Sequence, residues 1–187
     1  TGNKLLTPID ERPMLTHVVH ACLNARVIGP VYVVLGHEAE RVEAALNEDV
    51  NSNDLTVLVN ERWPDGLSTS LHRAIEARPD DVPGVLIVPG DMPFMTPELI
   101  DRVAETMLRT DRICFPTLEN RKGHPTAIPW RLFNQLLQIE GDTGAREIVR
   151  DHRDEAVILA LNPGEFSTQT DVDTVLHYRD LPSDSTS

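Results

Sequence analysis

A chain of 187 residues, 40% hydrophobic and 25% charged, has the length of one domain with a two-layer or three-layer core. Its apolar stretches are broken within a few positions, which excludes both a membrane span and a disordered polyelectrolyte. With 17 Lys+Arg against 30 Asp+Glu the formal net charge is -13, a field that repels nucleic acid and anionic membranes, so a polyanionic partner must meet local cations or a metal.

From Pro13 to Val27, the apolar residues Met14, Leu15, Val18, Val19, Cys22 and Leu23 follow the repeat of an amphipathic helix, with Pro13 suited to its first turn. Val31 to Leu35 is a continuous apolar run ended by Gly36, the pattern of a strand buried on both faces. A helix is predicted over Glu38–Asn47, a strand over Leu55–Val59, a helix over Leu67–Ala77 and a strand over Val85–Val88. Thr96 is suited to cap the next helix, which has Pro97 at its first position and runs to Arg109; Arg112–Phe115 reads as the fourth strand. Thr117–Pro129 reads as loop or hairpin, Trp130–Gln138 and Thr143–His152 as helices, and Ala156–Leu161 and Thr168–Val172 as strands. Leu181–Ser187 is a polar tail.

Short strands alternating with helices of roughly ten to fifteen residues signal βαβ crossovers, hence a single α/β domain over residues 1–180 with a mostly parallel sheet covered on both faces. Such a domain opens on a strand, whereas Thr1-Gly2-Asn3-Lys4 stand immediately before the first helix. The expectation is a further strand upstream of Thr1. No basic segment followed by an apolar one opens the chain, which points to the cytoplasm, and Cys22 and Cys114 read as reduced core thiols.

In open α/β sheets ligands bind beyond the carboxyl ends of the strands. Asp91, in Val88-Pro89-Gly90-Asp91-Met92-Pro93, follows such a strand; Thr96 serves as the next helix cap, which leaves Asp91 available as a ligand for a divalent cation. Gln169, Asp171 and Asp173 alternate, so on a strand both carboxylates share one face and a cation would relieve their repulsion; alternatively Asp173 caps a short helix and Asp171 is solvated. Arg121-Lys122-Gly123-His124-Pro125 is a basic turn that fits an anionic substrate or an exposed hairpin tip. Gly141-Asp142-Thr143-Gly144-Ala145-Arg146 suits a helix start with Asp142 as cap. Between Asn60 and Ser70, Gly66 permits close approach to the backbone, and the free N–H groups of the following helix start suit polar or anionic atoms. Only Lys4 and Lys122 among the basic residues are lysines, and both fall in segments read as loops.

In register, Asn3-Lys4-Leu5-Leu6, Asn60…Trp63…Gly66…Ser70, Gly90-Asp91-Met92-Pro93, Lys122-Gly123-His124-Pro125, Gly141-Asp142-Thr143-Gly144-Ala145-Arg146 and Asp171-Val172-Asp173-Thr174 resemble the MobA/MocA-like nucleotidyltransferases, the molybdenum cofactor cytidylyltransferase type in particular. The resemblance implies a GT-A-like, Rossmann-type three-layer sandwich with a mixed, mostly parallel sheet. It implies Mg²⁺-dependent transfer of CMP, or another nucleoside monophosphate, from a nucleoside triphosphate to a phosphorylated acceptor, with release of pyrophosphate. CTP is favoured as donor over GTP, molybdopterin as acceptor, and a molybdoenzyme as further partner. By motif match, Lys4 is the triphosphate contact, and Asp91 and Asp173 are the magnesium ligands with Asp171 beside them. Gly66 and Ser70 match the segment that approaches the nucleotide, the turn of Gly123 and His124 and the helix start at Gly141 and Asp142 the acceptor side, and Gly90 and Lys122 are binding residues of the same match. The family's glycine-rich loop follows its first strand and is expected upstream of Thr1. Two other readings stay open: a sugar-phosphate or other small-phosphate nucleotidyltransferase, and a non-catalytic molybdenum-cofactor binding protein.

Overall fold

A computed structural model describes residues 2–170. A two-residue ladder, β1 (Pro8–Ile9) against β2 (Arg12–Pro13), leads into α1 (Met14–Asn24). Then follow β3 (Val31–Leu35), α2 (Ala39–Asp49), β4 (Leu55–Val59), α3 (Leu67–Ala77), β5 (Gly84–Ile87) and α4 (Pro97–Thr110). The second half holds β6 (Cys114–Leu118), β7 (Arg121–Lys122), β8 (Thr126–Pro129), α5 (Phe133–Leu136), α6 (Arg146–Asp151) and β9 (Val157–Ala160). Among these described residues no helix is long and apolar enough to cross a membrane.

The strands form a mixed arrangement. β3 and β4 pair in parallel; β8 lies antiparallel between β5 and β6, and β9 runs parallel to β6 on its other edge. Successive residues of a strand face opposite sides, and both sides of this sheet are covered. Cys114 and Ala127 pack beneath α1 and α4 with Leu99, Ile100 and Val103, whereas Ile113, Phe115 and Ile128 pack against Ile75 of α3, Phe133 and Leu136 of α5 and Ile148 of α6. This is the three-layer α/β sandwich expected from the sequence. Each Leu, Ile, Val or Phe side chain so buried contributes about 1.5–3 kcal/mol. Cys22 and Cys114 are free and buried, and burial pushes each thiol up to about 11, which keeps it protonated at neutral pH.

The helix predicted to reach Val27 ends at Asn24, because the buried Asp101 carboxylate takes the N–H groups of Arg26 and Val27 at 2.8 and 2.9 Å and draws the chain out of helical register. The stretch read as loop or hairpin is a hairpin. Glu119 and Asn120 both have positive φ, 51° and 63°, as a two-residue turn of matching twist requires. Lys122 therefore lies on a strand rather than in a loop. The strand expected over Thr168–Val172 does not begin at Thr168. Thr168 and Gln169 close the 3-10 segment Pro163–Gln169, which starts on an Asn162–Glu165 capping box with Pro163 in its first turn. Asp171, Asp173 and the tail lie outside the described residues.

Candidate active site

Beyond the end of β5, Val88-Pro89-Gly90 carries the chain to Asp91. Thr96 caps α4, accepting the Leu99 N–H at 3.4 Å, so the helix does not need the Asp91 carboxylate. Its Oδ2 lies 2.7 Å from Nζ of Lys4, which opens a 3-10 turn, Lys4–Leu6, capped by Asn3. Leu5 of that turn and Leu15 of α1 close over Gly90, where a Cβ would come within 3.4 and 3.1 Å of them. The Lys4 and Asp91 side chains remain 40% and 25% exposed, so the pair is open to a ligand. An ammonium and a carboxylate at one rim can separate their duties, the first to a phosphate and the second to a cation.

The hairpin brings further charge to the same region. Lys122 donates to Thr126 Oγ1 at 2.6 Å and sits over the Phe115 ring, 5.6 Å from its centroid. Burial, helped by the nearby Arg146 charge, lowers its pKa to about 8. His124 is lowered to about 4, first by burial and then by Lys122; Asp91 opposes the shift and Arg146 adds to it. The imidazole is thus neutral at pH 7, and its buried Nδ1 has no hydrogen-bond partner among the described residues. The side-chain amide of Gln169 pins this turn from both sides, accepting the His124 N–H and donating to the His124 carbonyl, each at 2.7 Å. A Cβ at position 123 would fall on that amide, which is why glycine stands there.

The two glycine segments assigned by resemblance to opposite substrates meet. Gly66 has φ 114°, and a Cβ on it would lie 2.5 Å from the carbonyl carbon of Gly141. Asp142 does not cap its own helix: α6 begins at Arg146 after Ala145. Its Oδ1 instead accepts the Leu67 N–H at 3.2 Å, so that group at the start of α3 is already engaged. Asn60 is buried and donates to Thr69 and Ser70, each at 2.9 Å, which locks the loop between β4 and α3.

Lys4 is thus paired with Asp91, whose charge reaches His124 beside Lys122, with Gly90 under Leu5 and Leu15 and Gly123 beside His124, whereas Gly66 and Ser70 belong with Gly141 and Asp142 in a second group at the start of α3. Three contributors carried no assigned role in the sequence: Arg146, Gln169 and Asn60. Arg146 and Asn60 stood inside quoted motifs, and Gln169 was read only as a strand residue. Among the described residues no group of three or more His, Cys, Asp or Glu side chains is placed to hold a metal. The partly exposed Asp91 carboxylate, a hard oxygen donor, nevertheless fits a magnesium-type ion that takes one or two protein carboxylates and completes its shell with phosphate and water.

The fold is that of a Rossmann-like domain of the GT-A type, shared with solved structures. Residues 1–157 match the MobA-like NTP transferase domain, and the chain belongs to that family. It is 33% identical over 181 residues to the bifunctional protein GlmU of Mycolicibacterium paratuberculosis, covering 89% of this chain but 34% of that one, so it spans about a third of that relative's length. A probable molybdenum cofactor guanylyltransferase of Thermococcus sibiricus is 27% identical over 120 residues, 64% of this chain and 55% of that one. The crystal structure of Rv0371c from Mycobacterium tuberculosis superposes with TM-score 0.78 at 24% identity, over 96% of this chain and 88% of that one. Its manganese complex does so with TM-score 0.74 at 24% identity, over 95% and 90%.

Proposed function

We propose that this domain transfers a nucleoside monophosphate, CMP from CTP in the favoured case, to a phosphorylated acceptor of the molybdopterin class, releases pyrophosphate, and works with Mg²⁺ in the cytoplasm. A molybdoenzyme is the partner such a product would serve. The observation that carries this reading is the half-open Lys4–Asp91 pair beyond the end of β5, with Lys122, His124 and Arg146 in its electrostatic surroundings. The manganese complex of Rv0371c and the name of the Thermococcus sibiricus protein support a divalent ion and a molybdenum cofactor acceptor respectively.

Two polyanions must be brought together in this reaction, and charge neutralisation with alignment is most of the chemistry. Asp91, with Asp173 and Asp171 implied by motif, would hold the cation, which when bound neutralises triphosphate oxygens and charge developing on the pyrophosphate. Lys4 leaves Asp91 for the triphosphate. Lys122 and Arg146 draw in the acceptor phosphate, one oxygen of which attacks the α-phosphorus in line as the bond to the pyrophosphate oxygen breaks. His124, neutral at pH 7, hydrogen-bonds the acceptor without adding charge. Gly141, with open space where a Cβ would stand, lets the ligand reach backbone.

The test is pyrophosphate release with CTP or GTP and a panel of acceptors, molybdopterin and small sugar phosphates included. Asp91→Asn is expected to lower turnover by about a hundredfold or more with the circular dichroism spectrum unchanged. Undiminished Mg²⁺-dependent turnover in that variant overturns the assignment.

A further inference from the structure

Two exposed aromatic rings stand beyond the C-terminal ends of the parallel strands β3 and β4 and have no part in the chemistry above. Trp63 opens the 3-10 turn Trp63–Asp65 and is 45% exposed. Its ring centroid lies 5.2 Å from that of His37, with the planes tilted by 58°. This indole is held rather than loose. A Cβ on Gly36 would lie 2.5 Å from Trp63 Cβ and 2.8 Å from its Cγ, so the bare backbone at 36 is what lets the loop close onto the end of β3. From the other side Asn60 Oδ1 accepts the Arg62 N–H at 3.0 Å, while the Asn60 amide holds Thr69 and Ser70.

The aromatic pair is also tied to the phosphate end of the site. Asn3 Nδ2 donates to the His37 carbonyl at 3.2 Å, and the next residue, Lys4, holds Asp91. Stacking surface and ion pair thus flank one short turn. Trp130 makes the contrast: it is 55% exposed, but its ring packs edge-on to Phe133 and its backbone N–H donates to the Pro83 carbonyl, beside the N-terminal end of β5 and so at the far end of that strand from Asp91.

From this juxtaposition we infer that the Trp63 indole, braced by His37, is the stacking surface for the planar nitrogen heterocycle of the phosphorylated ligand whose charges meet Lys4 and Asp91. The inference rests on the transferase reading and names the group that takes the ring. An indole face accepts any flat heterocycle and so supplies affinity without choosing a base. Two ligands of the proposed reaction carry such a ring, the nucleotide and a pterin acceptor.

Fluorescence in a Trp130→Phe background reports Trp63 alone. With Mg²⁺ present, CTP and GTP, or a phosphorylated pterin, should quench it, whereas inorganic tripolyphosphate, which has charge and no ring, should bind by calorimetry without stacking. Trp63→Leu should weaken the quenching ligand by about tenfold or more and leave tripolyphosphate nearly unchanged, with Trp63→Phe recovering most of the loss. Quenching by nucleotides puts the base on the indole and quenching by the pterin alone puts the acceptor there; either supports the stack. Equal losses for ring-bearing ligand and tripolyphosphate, or no loss for either, overturn it and leave the transferase reading standing. Failure of the unsubstituted protein to bind any of these phosphates overturns the transferase reading and this inference with it.

Discussion

His124 is a histidine kept neutral inside a ring of charges. Burial and the Lys122 and Arg146 charges hold it at about 4, well below the usual 6.5, although Asp91 pulls the other way. As the pH falls, the unfolded chain takes up this proton before the folded one does. The stability tied to a neutral His124 is therefore complete above pH 6.5 and is lost as the pH drops through that value toward 4. Thermal denaturation across pH 4–7 should show a loss on the order of 2 kcal/mol over that window, and His124→Gln should flatten it; an unchanged pH profile would mean the imidazole is not so enclosed. At this scale the sequence was partly legible. The Gly-His-Pro turn marked His124, but the two hydrogen bonds from Gln169 join residues 45 apart, and no local pattern announces them.

Two glycine-bearing segments meet at the start of α3. Its first N–H is taken by Asp142, and Gly66, just before it, sits against Gly141 in a backbone conformation that L side chains rarely adopt. Gly66→Ala is expected to cost about 2 kcal/mol or more through both strain and contact with Gly141. Asp142→Ala removes only a cap and is expected to cost about 1 kcal/mol. Urea denaturation midpoints of the two variants should fall in that order, and the reverse order would deny the contact between the two glycine segments. The helix itself was plain from its apolar spacing, which matches Leu67–Ala77 end to end. Its cap was not, because the capping side chain comes from a segment that local rules assign to a different helix start.

A molecule of net charge -13 meets polyanions only where it has gathered its cations, and in the proposed reaction Lys4, Lys122 and Arg146 are that gathering. A nucleoside triphosphate with Mg²⁺ at about a hundred times its dissociation constant should stabilise the fold by about 2.7 kcal/mol, a rise in Tm on the order of 5–10 °C for a chain of this size. Differential scanning calorimetry should show a smaller rise without the metal, and Asp91→Asn should erase the metal-dependent part. An equal rise with and without Mg²⁺ would remove the cation from Asp91. What the sequence determined by itself was the α/β class and the strands β3 and β4 at their full extents, because apolar periodicity and bounding glycines act over a few neighbouring residues. It also marked Asp91 as not needed for the cap of α4, since Thr96 supplies it. The tertiary structure alone decided that Asp101 ends α1 early, that β8 runs antiparallel between β5 and β6, and that Lys4 reaches Asp91. Each of these depends on groups far apart in the chain, whose meeting is set by how the layers close over their common core rather than by any local preference.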